Sequence, residues 1–172
     1  MPSARTRAKR HRHSLLPLSD LVAHPQYPFV KSRLRASITF RAYLDHKVSL
    51  ISSLGVLKGL VEPLNEIRRS VDECQYELSR YAVGEIDEQE LEESLEYLRW
   101  KLLNEHEWGD FSFPSDGINE LVYGDLESIY EMIQVEVSGH VESYCDSLKS
   151  AYEDTDLCRP SWLVDLGKEF EE

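Results

Sequence analysis

The chain has 172 residues, 41% of them hydrophobic and 30% charged, with a net charge of −13. That length suffices for one domain with a real core and tails. The composition excludes a collagen-like chain and a disulfide scaffold, and no apolar run approaches the roughly 20 residues of a membrane helix.

The charge is divided along the chain. Residues 1–60 hold eleven Lys and Arg against Asp20 and Asp45, whereas residues 61–172 hold eight against thirty acids. Arg5, Arg7, Lys9, Arg10 and Arg12 lie in the first thirteen residues, with His11 and His13. Such an arm suits a solvated tail, neutralisation of the acidic remainder, or a salt-sensitive tether to nucleic acid. The acidic remainder would be repelled by a phosphate backbone, so only the arm is a candidate for that contact. Leu15, Leu16 and Leu18, interrupted by Pro17, are too short for a signal-peptide core. Cys74, Cys145 and Cys158 are odd in number and lack C-x-x-C spacing, which fits a reducing, cytoplasmic setting without disulfides or structural zinc.

In chain order, residues 1–28 read as a basic tail and lead-in, with a helical turn at Ser19-Asp20 and breaks at Pro25 and Pro28. Residues 29–53 read as a long helix with Val30, Leu34, Ile38, Leu44, Val48 and Ile51 roughly on one face. Residues 56–83 carry the clearest pattern. Leu60, Leu64, Ile67, Val71, Cys74, Leu78 and Tyr81 are spaced 4, 3, 4, 3, 4, 3, an unbroken heptad seam closed by Gly84. A third helix is expected over 87–106, capped by Asp87, with Leu91, Leu95, Leu98 and Leu102 on its stripe and Trp100 and Leu103 widening it. An aromatic loop follows, with Trp108, Phe111 and Phe113. A short helix over 116–123 is expected to reset at Gly124-Asp125. A last helix then runs to about 152 with Leu126, Ile129, Ile133, Val137, Val141, Tyr144 and Leu148 inward. Gly139 either weakens that helix or permits close packing. Residues 153–172 read as a docked segment and an acidic end. No strand pattern occurs. The expectation is all-α: an antiparallel bundle of about four main helices over 29–152.

Motifs for nucleotide binding, serine hydrolysis and zinc proteolysis are absent, as is Glu-x-x-His. Glu136 and His140 share a helix face, which as two groups alone suits an ion pair better than a metal. No cofactor is implied. Two pairs have the form Arg, four to six residues, His: Arg41 with His46, and Arg99 with His106. This resembles the motif of HEPN-superfamily ribonucleases, helical-bundle proteins that cut RNA without metal at a dimer interface. The resemblance implies those four residues as catalytic candidates, although Ala42 and Trp100 stand where that family usually has a polar residue. On a regular helix Arg41 and His46 diverge by about 140°, whereas Arg99 and His106 fall within about 20°.

The leading expectation is a non-enzymatic intracellular interaction protein. It would be a regulatory or adaptor subunit that binds a protein partner, or itself, by helix packing and an acidic surface. Its candidate contacts are Leu60, Leu64, Ile67, Val71 and Leu78, which could equally be bundle core, and Trp108, Phe111 and Phe113. The alternatives are a HEPN-like ribonuclease and nucleic-acid tethering by the N-terminal arm.

Overall fold

Every regular element among the described residues is helical. The structure, a computed structural model, describes residues 15–53, 55–104, 108 and 120–149. The basic arm, His106, Phe111, Phe113 and the segment 153–172 lie outside these. The elements are α1 (Leu18–Val22), α2 (Tyr27–Ser52), a 3-10 turn (Gly55–Leu60), α3 (Val61–Ala82), α4 (Glu88–Asn104) and α5 (Glu120–Lys149).

Local chemistry accounts for most boundaries. Pro28 does not break α2 but lies in its first turn, where the missing N–H has no partner to lose. The heptad segment opens as a 3-10 turn and becomes α-helical at Val61, which puts Pro63 in the first α-helical turn. At the other end of α3, Gly84 takes φ +83°, a left-handed conformation open to glycine. Its N–H bonds the Tyr81 carbonyl at 3.0 Å and the Glu85 N–H bonds the Arg80 carbonyl at 2.8 Å, satisfying two carbonyls of the last turn. Asp87 caps α4: its Oδ1 accepts from the Glu90 N–H at 2.8 Å. The reset expected at Gly124-Asp125 does not occur. α5 passes through both residues, because one interior glycine costs only about 1 kcal/mol and 30 residues of helix outweigh it.

Long-range pairs fix the direction of each helix. Phe29 meets Tyr81, Arg41 pairs with Asp72, and Arg68 pairs with Asp45, so α2 and α3 run antiparallel. Arg33 bonds the Lys149 carbonyl, Ser37 the Tyr144 hydroxyl, and Lys47 the Glu136 carboxylate, so α5 also runs antiparallel to α2. Arg33 Nη1 donates to Glu92 Oε1 at 2.7 Å, placing the start of α4 beside the start of α2. α3 packs on α2 and α4, and α5 packs on α2 and α4.

The core lies where these faces converge. Leu60, Leu64, Ile67, Val71, Cys74 and Leu78 are each 0% exposed, as are Val30, Phe40 and Leu44 of α2, Leu91 of α4, and Val137 and Tyr144 of α5. The seam of α3 therefore faces its own chain. α2 buries more than one stripe: Ala36, Ser37 and Thr39 are covered, while Ile38 and Val48 are only partly so. The hydroxyls of Ser37 and Thr39 are satisfied locally. Ser37 donates to the Arg33 carbonyl at 2.9 Å and Thr39 to the Arg35 carbonyl at 2.7 Å. Tyr144 has its hydroxyl 2.6 Å from Ser37 Oγ and also engages Cys74, tying α2, α3 and α5 together at the centre.

Candidate partner-binding surface

The helices differ in length, and that difference makes the surface. α4 has 17 residues and α5 has 30. At 1.5 Å per residue these are about 26 and 45 Å long. Where the two run together they flank a hollow of about 520 Å³, lined by Trp100 and Leu103 of α4 and by Glu142, Cys145 and Asp146 of α5. Trp100 and Leu103 were expected on the inward stripe. They are 52% and 51% exposed, because the leucine stripe already fills the interior and neither lies on that row. Beyond Asn104 α4 ends, while the same side of α5 continues. Val135 precedes Glu142 by seven residues, two turns on nearly the same bearing, and is 74% exposed. Met132 is 67% exposed and Ile129 40%. Gly139, between these groups, is exposed, and a methyl group there would meet nothing within 4 Å, so it serves no close helix approach.

The surroundings of this strip are acidic. α5 carries seven carboxylates and neither Lys nor Arg before Lys149. Asp125, Glu127 and Glu131 are exposed. α4 and its lead-in hold seven more between Glu85 and Glu96, again with no Lys or Arg. Among the described residues of α4 and α5 the cations are Arg99 and Lys149 in the hollow and Lys101 in the last turn of α4.

A second polar group joins α2 to α5. Lys47 Nζ lies 2.8 Å from Glu136 Oε2, and His140 Nε2 lies 3.9 Å from Glu136 Oε1. The His140 ring stands edge-on to Tyr43 at 4.5 Å, with Lys47 over the same Tyr43 ring. Burial lowers the affinity of His140 for a proton; Glu136 opposes that effect and Lys47 adds to it. Burial, reinforced by Glu136, raises the Tyr43 hydroxyl above its ordinary range. The Glu136–His140 pair is thus engaged with Lys47 and Tyr43. Among the described residues no three His, Cys, Asp or Glu side chains converge on a point suited to a metal.

The residues singled out from sequence separate into three groups. Leu60, Leu64, Ile67, Val71 and Leu78 are fully buried, so a partner would reach them only by displacing the chain's own helices. Trp108 is half-buried and packs against the core. Arg41 is held by Asp45 at 3.1 Å and by Asp72, while His46 is exposed. Arg41 is thus ion-paired across to α3. Arg99 lines the hollow, with Nε buried and without a hydrogen-bond partner; its counterpart His106 lies outside the described residues. Burial pushes the Cys145 thiol up to about 12, and Arg99 opposes that shift, so this thiol is no nucleophile near neutrality. Sequence reasoning missed Met132 and Val135. They fall off the inward stripe of α5, and the signal that exposes them is the unequal length of α4 and α5. No helix of the described residues is long and apolar enough to cross a membrane. No protein-family model matches this chain, and neither a curated protein nor a solved structure matches it significantly.

Proposed function

We propose that this chain is an antiparallel bundle of four principal helices that works, without chemistry of its own, as an interaction subunit in the cytoplasm. It would bind a protein partner through an exposed apolar strip set in an acidic surface. One observation carries the reading: Trp100, Leu103, Met132 and Val135 are each more than half exposed on α4 and α5, while the heptad seam is consumed inside the fold. Exposed aromatic and aliphatic groups in a polar rim are the usual anchors of an interface. The flanking carboxylates would steer a basic partner and reject an acidic one.

The test is purification of the tagged full chain from its own host at low salt. The reading expects a stoichiometric protein partner that is released as salt rises and has a basic contact surface. Recovery of the chain alone, or with RNA and no protein, overturns it. Bound RNA would transfer attention to Arg99, His106 and the first thirteen residues.

A further inference from the structure

The geometry points to a specific occupant for the bare stretch of α5: a cationic amphipathic helix of the partner protein, lying along α5 where α4 leaves off. This rests on the interaction reading above and deepens it.

The first argument is shape. α4 covers α5 from Lys149 back to Glu142 and then stops at Asn104. From Glu142 to Met132 the uncovered side of α5 continues for about 15 Å. Met132 and Val135 stand on it three residues apart, the start of a ridge of the kind that seats in the groove of a second helix. A helix arriving there would continue the packing that α4 begins.

The second argument is charge. Asp125, Glu127 and Glu131 are exposed and lie within about 80° of Val135 around the helix. No Lys or Arg of α5 precedes Lys149. A partner helix with Lys or Arg flanking an apolar row meets both features at once. A second copy of this chain does not: stacking α5 on α5 would oppose Asp125, Glu127 and Glu131 to their own copies, and such like-charge contact costs several kcal/mol. The chain's own basic arm does not fit either. Apart from Met1, residues 1–14 contain no apolar side chain larger than proline to cover Met132 and Val135.

The experiment measures binding of a labelled synthetic 18-residue Leu/Lys peptide, patterned as an amphipathic helix, to the full-length protein by fluorescence anisotropy. A peptide of the same composition with the pattern scrambled is the control. The patterned peptide should bind at least about tenfold more tightly. The decisive variants are Met132→Asp and Val135→Asp, at sites exposed enough to spare the fold, with helicity checked by circular dichroism. Each adds a negative charge while removing apolar surface. A docking ridge predicts at least about tenfold weaker binding, whereas general charge attraction predicts equal or tighter binding and would overturn the inference. Val22→Asp, at an exposed position of α1, should leave affinity unchanged. Sedimentation showing a dimer that Val135→Asp dissociates would give the face to a second copy. Peptide binding that emerges only after Phe111→Ser and Phe113→Ser would give it to the chain's own connecting segment. Either result overturns the inference. A stoichiometric partner with no peptide binding would leave the interaction reading standing and remove this occupant.

Discussion

α3 and α5 both carry regularly spaced apolar residues, yet the seam of α3 is interior and the Met132–Val135 row of α5 is surface. Leu64, Ile67 and Val71 of α3 are 0% exposed; Met132 and Val135 of α5 are 67% and 74% exposed. α3 is flanked by α2, α4 and the 3-10 turn, so its seam meets partners along its whole length. α5 outruns α4, and past the end of the shorter helix its outer face meets no other described helix. Apolar periodicity therefore states what a helix can bury, while the length and placement of its neighbours decide what it does bury.

Substitutions sharpen this contrast, beginning with the largest effect. Leu64→Ala should destabilise the fold by about 2–5 kcal/mol, read as a lowered denaturation midpoint, because it opens a cavity in a closed core. Val135→Ala should change stability by no more than about 0.5 kcal/mol. A large loss at Val135 would mean that α5 is covered there after all.

Asp87→Ala should cost about 1 kcal/mol in chemical denaturation, through loss of the bond to the Glu90 N–H that starts α4. Shortening α4 from that end should leave peptide binding at Met132 and Val135 intact, since the bare stretch lies beyond its other end.

Gly139→Ala should stabilise by up to about 0.8–1 kcal/mol, since the added methyl group touches nothing and the helix gains propensity. A loss there would reveal a covering contact on α5.

The smallest effect is a pH dependence at the α2–α5 contact. Burial lowers the His140 pKa below its ordinary 6.5, so the unfolded chain takes up the proton first as pH falls. The His140 contribution to stability is therefore intact above pH 6.5 and is lost as pH falls from there through the lower folded value. His140→Gln should flatten the part of the stability–pH curve between about pH 7 and 5. A curve unchanged by the substitution would place His140 in water rather than against Tyr43.

Several features were legible in the residues themselves. The seam from Leu60 to Leu78, the cap at Asp87 and the glycine stop at Gly84 depend on neighbours within one or two turns, and spacing alone reports them. Gly124 misled because its local cost is small beside the cooperative gain of a 30-residue helix. Ser37 and Thr39 were unreadable as core, since burial of Ser37 comes with α5 crossing α2 at Tyr144 and both hydroxyls are satisfied by backbone one turn away. The candidate surface was the least visible. Trp100 and Leu103 look inward by composition, and only the filled interior of α4 turns them out.

The sequence by itself determined an all-helical chain, the helix that would supply the deepest face, and the split between a basic first third and an acidic remainder. Propensity, capping and periodicity act over a few residues and need no tertiary partner. The tertiary structure decided which apolar residues were left outside, how Arg41 and His140 were engaged, and where the carboxylates met an open apolar ridge. Those outcomes depend on the relative lengths and directions of helices distant in sequence, and thus on packing rather than on any local rule.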